Sequence, residues 1–384
     1  MAENQPLKNR VNTTSFAQFG ARLRGLVHGD FEDLALDLFR VQFELNAAYR
    51  IICESRGLTP QEVKDWSEIP AVPTAAFKEL ELSCLRPAQR THVFHSSGTT
   101  SQKPSRHFHS AESLAQYEES LLTGFRENVV GTPPISILCL TPPRAEAPHS
   151  SLVHMFETVR REIGSANSGF FGRVTNEGEW ALDLATAVSR LDHACQAKEP
   201  VCIPGTAFSF VHLLDHLRDH GKRLQLPLGS IAMETGGYKG KSRVLSRMEL
   251  HDLISRHLGI SHGQIICEYG MSELGSQAYG RGSRGEGREE KQEGAADPLS
   301  ALDTRHAVVF NFPRWTRVQI ISPETGREVK EGETGLIRVF DLANVYSVMA
   351  IQTEDLAIKR GSGFELLGRA ALAEPRGCSL MAVA

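Results

Sequence analysis

Phe94-His95-Ser96-Ser97-Gly98-Thr99-Thr100-Ser101-Gln102-Lys103-Pro104-Ser105-Arg106-His107-Phe108 is the stretch on which the fold turns. Val93 and Phe94 close an apolar run that reads as the end of a strand. Six small residues follow, Ser96 to Ser101, and then two cations, Lys103 and Arg106. Small side chains let backbone N–H groups turn toward one point and form an anion-binding nest. Hydroxyls add donors and the cations add charge against phosphate. By composition alone the run is a polar surface turn, as Ser/Gly/Thr clusters usually are.

The order of residues carries more than the composition. Ser-Ser-Gly-Thr-Thr-Ser-x-Lys-Pro resembles the phosphate loop of the adenylate-forming superfamily, which includes acyl-CoA synthetases and luciferases. Ser101 stands where that family usually has glycine, and Lys103-Pro104 appear in inverted order. By this resemblance Ser96, Ser97, Gly98, Thr99, Thr100 and Lys103 bind nucleotide phosphate.

Three later stretches fall in the same family's order. Ile231-Ala-Met-Glu-Thr-Gly-Gly-Tyr-Lys-Gly-Lys-Ser242 ends like a P-loop, but the glycine required five positions before Gly240 is Thr235,. Adjacent glycines after a strand instead allow a flat ligand close to the backbone. The resemblance puts Gly236, Gly237 and Tyr238 against adenine. Glu268-Tyr-Gly-Met-Ser-Glu273 resembles the family's Tyr-Gly-x-Ser/Thr-Glu motif. It implies Tyr269, with Gly270 and Met271, beside the adenine, Ser272 at the α-phosphate and Glu273 as Mg²⁺ ligand. A hard cation needs carboxylate and phosphate oxygens together. Gln352-Thr-Glu-Asp355 resembles Thr-Gly-Asp, with Glu354 replacing glycine, and implies that Asp355 accepts from the ribose hydroxyls. Gly368-Arg369 resembles the Gly-Arg hinge before the family's mobile C-terminal domain, which carries a catalytic lysine. Each motif alone is an ordinary turn; together they span residues 94–369.

Only Ala370 to Ala384 follow that hinge, so the lysine-bearing lid is expected to be absent. The ending, with Thr235-Gly-Gly-Tyr-Lys, Gly270-Met-Ser-Glu-Leu-Gly-Ser-Gln277, Phe340-Asp-Leu-Ala-Asn344 and Gly368-Arg-Ala, resembles the acyl-protein synthetases of the LuxE family. That family adenylates an acid, moves the acyl group to a cysteine near the C-terminus and hands it to a partner reductase. Cys378 is the matching residue. The resemblance implies ATP and Mg²⁺ as cofactors, a carboxylic, fatty acid as substrate, and an acyl reductase or acyl-carrier protein as partner. An acid–CoA ligase or aryl-acid adenylating enzyme would share the first half-reaction, and a non-catalytic nucleotide-binding protein is the alternative outside enzymes.

The totals fit an ordinary globular chain. Of 384 residues, 41% are hydrophobic and 23% charged, enough for a large core and more than one structural unit,. A net charge of -4 gives no footprint for nucleic acid,. Seven cysteines without a C-x-x-C pair argue for a reducing compartment,. The N-terminus lacks a signal pattern and no apolar run reaches membrane-spanning length, so the cytoplasm is expected.

The expected fold is α/β: an adenylate-forming N-terminal module with layered α/β subdomains and a small β-rich subdomain. Residues 1–90 read as a helical segment packed on the core, 91–369 as the core with its β-rich part about 305–369, and 370–384 as the tail bearing Cys378. Phe31 to Cys53 reads as one amphipathic helix, and Thr59-Pro60-Gln61-Glu62 as a helix start,. Short apolar strands at Ile135–Leu140, Val201–Ile203, Ile231–Met233 and Gln264–Cys267 lie between helices, the pattern of a parallel sheet,. Gly280 to Ala296 reads as a surface loop. His212, His216 and His220 fall on one helix face and read as solvated; His92, His95, His107 and His109 flank the phosphate loop without a role that spacing assigns.

Overall fold

The computed structural model describes residues 16–25, 31–96, 103–130, 134–236, 245–282 and 307–370. Helices α1 (Phe16–Arg24), α2 (Phe31–Leu45) and α3 (Ala47–Ser55) come first, then the two-residue strand β1 (Val72–Pro73) and α4 (Ala76–Glu79). A hairpin, β2 (His92–His95) and β3 (Arg106–His109), leads into α5 (Ala111–Asn128), β4 (Ser136–Cys139) and α6 (Ser151–Glu162). Short strands β5 (Gly169–Phe170), β6 (Gly172–Val174) and β7 (Trp180–Leu182) precede α7 (Leu184–Ala197). Strand and helix then alternate through β8 (Val201–Thr206), α8 (Ala207–Asp219), β9 (Ile231–Thr235), α9 (Arg247–Leu258) and β10 (Ile265–Tyr269). The chain ends in β11 (Ala278–Arg281), β12 (Val309–Phe310), β13 (Thr316–Ile321), β14 (Thr334–Asp341), β15 (Ala350–Arg360) and β16 (Gly363–Arg369).

Two sheets organise the molecule. The first runs β11-β10-β9-β8-β4-β5; all neighbours are parallel except the edge strand β11. Both faces are covered, as parallel sheets require. One face packs under Leu213, Leu214 and Leu217 of α8 and Leu250 and Ile254 of α9. The other packs under Leu121 and Phe125 of α5 and Met155 and Phe156 of α6. The second sheet runs β12-β16-β15-β14-β13 with antiparallel neighbours, and β1 adds in parallel to β15. Its core joins Phe340, Phe364 and Val339 to Leu34, Leu38 and Phe39 of α2 and to Tyr269 at the end of β10. The β10 terminus therefore sits where the two sheets meet. This is the layered α/β module expected, with its β-rich companion.

Two helix expectations are corrected. Residues 31–53 form two helices, because Asn46 takes an extended conformation and its side chain accepts from Tyr49 N–H, capping α3. Asparagine competes well for backbone donors, so it breaks a helix that its neighbours would continue. At Thr59 the chain closes the bond from Thr59 N–H to Glu62 Oε2 at 3.1 Å but makes only one turn. Asp65 then caps the 3-10 turn Trp66–Glu68, accepting from Ser67 N–H at 2.8 Å. Of the loop expected at Gly280 to Ala296, Gly280 and Arg281 belong to β11 and 283–296 lie outside the described residues. Among the described residues, no helix is long and apolar enough to cross a membrane.

Candidate active site

The phosphate-loop stretch is the connection between β2 and β3. Its centre, with Ser97, Gly98, Thr99 and Thr100, lies outside the described residues, but its two ends are tied together. Ser105 N–H donates to Ser96 Oγ at 2.9 Å and Ser96 N–H donates to the Ser105 carbonyl at 3.3 Å. Both ends of the loop are thereby anchored on a paired strand. Lys103 turns away to an exposed ion pair with Glu79 at 3.0 Å. Arg106 stays at the hairpin, 3.6 Å from Glu81, with its buried Nε lacking a partner.

Directly beneath lies the turn after β10. Parallel strands present their C-terminal ends to one edge, and ligands bind there in open α/β sheets. Ser272 and Glu273 occupy that edge, both buried. Ser105 Oγ donates to Glu273 Oε1 at 2.7 Å and Ser272 Oγ donates to Oε2 at 2.9 Å. His107 Nδ1 is 2.6 Å from the Ser272 carbonyl, which only accepts, so Nδ1 carries the hydrogen,. Burial holds the His107 imidazole below its ordinary pKa, against the pull of that carbonyl and of Glu273. It is thus a neutral strut near pH 7. Asn344 Nδ2 holds the Glu273 carbonyl at 2.8 Å. The following turn is pinned by buried Asp341, whose carboxylate accepts from Gly275 N–H at 2.9 Å, Ser276 Oγ at 2.7 Å and Ala343 N–H at 3.0 Å. Burial pushes Asp341 up to about 6, while these donors pull it back.

On the other side of the turn, Tyr269 Oη donates to Asp355 Oδ2 at 2.8 Å, and Arg369 Nε is 3.4 Å from Asp355 Oδ1. Asp355 and Arg369 stand opposite each other on β15 and β16, so strand pairing brings them together. Arg369 also reaches Glu354 at 3.3 Å and leaves its buried Nη1 unpartnered. The Tyr269 ring meets Phe364 edge-on at 5.2 Å, with Phe310 and Phe312 beyond. Gly236, just past β9, has φ +89°, a left-handed conformation that favours glycine,. Gly270 is needed for space: a Cβ there would sit 2.4 Å from Glu268 Oε1. Met271 is half-buried against the core of the second sheet. Gly237, Tyr238 and Cys378 lie outside the described residues.

The structure therefore gathers Ser96, Ser272 and Glu273 on one side and Tyr269, Asp355 and Arg369 on the other. Lys103 joins neither. Ser105, Asn344 and Asp341 were not visible as partners in the sequence, and His107 was visible only as a flanking residue. A register argument for the β2–β3 hairpin would have placed Ser105 beside Ser96.

Glu273, Ser105 and Ser272 form an all-oxygen donor set, which suits Mg²⁺. A second set with ligand chemistry, Glu234, His251 and Cys267, lies buried on α9, β9 and β10 with ligand atoms within 4.8 Å of one another. Arg247 already brings positive charge to Glu234 at 3.7 Å, so that carboxylate is met without an ion.

Residues 30–280 match the family model described as Acyl-protein synthetase, LuxE. A long-chain-fatty-acid–luciferin-component ligase from Vibrio harveyi is 22% identical over 355 residues, covering 89% of this chain and 84% of the relative. An open conformation of 2-hydroxyisobutyryl-CoA ligase superposes with a TM-score of 0.59 at 14% identity, over 93% of this chain and 76% of that one. The same ligase in its thioesterification state gives 0.62 at 14% identity, over 91% and 70%. The structural likeness concerns the fold; the family match covers the motifs from the phosphate loop to the Tyr269–Glu273 turn. The chain belongs to the acyl-protein synthetase (LuxE) family and is a ligase built on the adenylate-forming fold.

Proposed function

We propose that this ligase activates a carboxylic acid with ATP and then passes the acyl group to its own Cys378 as a thioester. In the first step a carboxylate oxygen attacks the α-phosphorus and the bond to the β-phosphate oxygen breaks. Diphosphate leaves with that electron pair. In the second step a thiolate attacks the acyl carbon, the bond to the AMP oxygen breaks, and the thiol proton goes to solvent. AMP is a far better leaving group than hydroxide, which is why the first step is needed.

The observation that supports this most is the meeting of Ser105, Ser272 and Glu273 at the root of the phosphate loop. Donors from Ser96 to Thr100, and Ser272 at the α-phosphate, would meet charge that develops on the phosphates. Lys103, paired with Glu79, would have to leave that pair to meet phosphate. Mg²⁺, held through Glu273, would neutralise phosphate charge when bound. Asp355 takes the ribose hydroxyls, Tyr269 lines the adenine side, and Gly236, Gly237 and Tyr238 are assigned to the adenine by their match to the family's Gly-Gly turn. Arg369 orients Asp355. Residues 91–369 act as the catalytic module, 1–90 brace it, and 370–384 deliver Cys378. The relative's name supports a fatty acid as substrate; an acyl reductase as the partner that receives the acyl group, and the cytoplasm as the place, complete the proposal.

Acid-dependent exchange of labelled diphosphate into ATP tests the reading. Exchange that needs an acid and Mg²⁺ but no CoA is expected; a chain that binds ATP yet never exchanges is a nucleotide-binding protein instead.

A further inference from the structure

The chain leaves the second sheet at the end of β16, and Glu354 holds that exit twice. Its side chain pairs with the Arg369 guanidinium, Nη2 to Oε2 at 3.3 Å. Its carbonyl accepts from Ala370 N–H at 3.0 Å. Asp355, the next residue, meets Arg369 Nε at 3.4 Å. Neighbouring side chains on a strand point to opposite faces. One guanidinium reaches both carboxylates because its planar fork presents separate N–H groups.

The strand is bent where this happens. Leu356 pairs with Gly368 and Ala357 with Leu366, so Leu367 has no residue opposite it and forms a β-bulge. Gly368 takes φ +127°, in the region that favours glycine. No heavy atom lies within 4 Å of where its Cβ would be, so the glycine serves the backbone and not the space,. A bulge re-aims the side chains around it, in this strand Arg369. A strand end bent and gripped in this way leaves the sheet in one direction. It leaves beside the residues assigned to the nucleotide, since Asp355 also accepts from Tyr269 Oη at 2.8 Å. Cys378 is 9 residues past Arg369 (378 − 369). A chain of that length spans at most about 30 Å, so where it starts decides what the thiol can reach.

Resting on the reading of Cys378 as acyl carrier, we propose that Glu354 is a positioning residue for the second step. By gripping Arg369 and Ala370 it starts the last residues of the chain beside the acyl-adenylate. The thiolate then attacks the acyl carbon, AMP leaves with the bonding electron pair, and the thiol proton goes to solvent. Glycine, usual at this position in the motif that Gln352-Thr-Glu-Asp355 resembles, would give the backbone bond but not the ion pair. The first step does not draw on that pair. With Glu354 changed, Asp355 keeps its bond from Tyr269 and its own contact with Arg369. The two half-reactions therefore respond differently.

Glu354→Gln removes the charge and keeps the shape. Acid-dependent diphosphate exchange and the KM for ATP should stay within about threefold of the wild type, the scale of a partly exposed ion pair. Given labelled acyl-adenylate prepared chemically, which bypasses the first step, the variant should form the hydroxylamine-labile label at least about fivefold more slowly, because a misplaced group slows an intramolecular attack. Retained exchange shows that the variant is folded, and Glu354→Ala serves if it is not. Labelling as fast as in the wild type, or exchange falling in step with labelling, overturns the proposal; the second result would place Glu354 in nucleotide binding. A wild type that exchanges but forms no labile label, or a Cys378→Ser variant that keeps it, overturns the carrier reading, and this inference with it.

Discussion

Tyr269 and Asp355 are 86 positions apart and joined by a single hydrogen bond of 2.8 Å. One ends a strand of the parallel sheet and the other lies within a strand of the antiparallel sheet, so the bond ties the two layers where a nucleotide would enter. Arg369, opposite Asp355 on β16, closes the group. Asp355→Ala should raise the KM for ATP at least tenfold while leaving the KM for the acid little changed, because unmet ribose hydroxyls discriminate strongly. Tyr269→Phe removes one bond and should raise it only severalfold, the order of 1 kcal/mol. If the wild type uses 2′-deoxy-ATP as well as ATP, Asp355 does not serve the ribose.

Glu273 is fully buried and accepts from two serine hydroxyls that reach it from different elements. Glu273→Gln keeps the shape but presents an amide N–H₂ where one hydroxyl donates, and it removes the carboxylate charge. Exchange should fall by about a hundredfold or more, the scale of losing a charge-stabilising group. The circular dichroism spectrum should stay native. Undiminished exchange at limiting Mg²⁺ would remove Glu273 from the metal role. Ser105→Ala should cost less, since Ser272 still donates to the same carboxylate.

Glu268 ties stability to pH. Burial raises its folded pKa to about 7 from an unfolded value of 4.5. Protons are then held more tightly by the folded state, so this group's contribution is fully present below about pH 4.5 and is lost as pH rises through about 7. Asp341, raised to about 6 from 3.8, behaves likewise over a lower window. Glu118 runs the other way: its bond with His154, then Arg161, hold it down at about 2, and its contribution is lost only in acid. Between about pH 6 and 7.5 the buried histidines His107 and His109, held below their ordinary range by burial, gain stability as pH rises and oppose Glu268,. Glu268 by itself should cost on the order of 1 kcal/mol over that span, so the stability of Glu268→Gln relative to the wild type should rise by that amount as pH goes from about 6 to 7.5,. Denaturant midpoints at several pH values check it; parallel curves for the two proteins would rule the linkage out.

The phosphate loop, the turn after β9 and the Tyr269–Glu273 turn were legible because each joins an apolar strand to residues with special backbone or chemical character. Long-range partners were not. Nothing local marks Asn344 as the holder of Glu273, or Asp341 as the pin of the Gly275 turn; both meet their partners only when the sheets pack. Strand β15 escaped notice because Thr353, Glu354, Asp355, Lys359 and Arg360 interrupt its apolar pattern. Asp355 meets Tyr269 and Arg369, Thr353 donates to the Ile337 carbonyl, and Lys359 and Arg360 pair with Glu328 and Glu365, so polar contacts break the alternation. Asn46 hid a helix break inside a stretch whose apolar spacing is continuous.

Gln42 shows how far the brace reaches. It is buried in α2, its Nε2 donates to the carbonyls of Asn344 at 2.8 Å and Val345 at 3.1 Å, and its Oε1 accepts from Met349 N–H at 3.0 Å. Asn344 in turn holds the Glu273 carbonyl. Gln42→Leu is similar in size but leaves the Val345 carbonyl and Met349 N–H unmet and the Asn344 carbonyl with only Ser347 N–H at 3.5 Å, so stability should fall by about 2 kcal/mol or more,. Exchange activity should also fall in the folded fraction, because the Glu273 turn loses its support. A change below about 0.5 kcal/mol in denaturant unfolding would show that the segment does not brace the site.

Cys378 is proposed as acyl carrier from the family resemblance and its place after Gly368-Arg369, and the state of the other thiols supports the proposal. Cys53, Cys139, Cys202 and Cys267 are buried, and Cys84 and Cys195 are half-buried. Burial pushes all six away from the thiolate: Cys53 to about 11, Cys84 and Cys202 to about 12, and Cys139, Cys195 and Cys267 upward as well. The thiolate is the nucleophile, so each is a poor acceptor near neutral pH. In the sequence Cys378 follows Gly377 and comes two residues after Arg376, a charge that would favour a thiolate,. The enzyme given labelled acid and ATP should carry a label that neutral hydroxylamine releases. Cys378→Ser should keep acid-dependent diphosphate exchange and lose that labile label, since only the second step needs the thiol. A label that stays hydroxylamine-sensitive in the variant, or that mass spectrometry finds on one of the six buried or half-buried cysteines, would move the carrier elsewhere, and formation of free acyl-CoA in its place would make the chain an acid–CoA ligase.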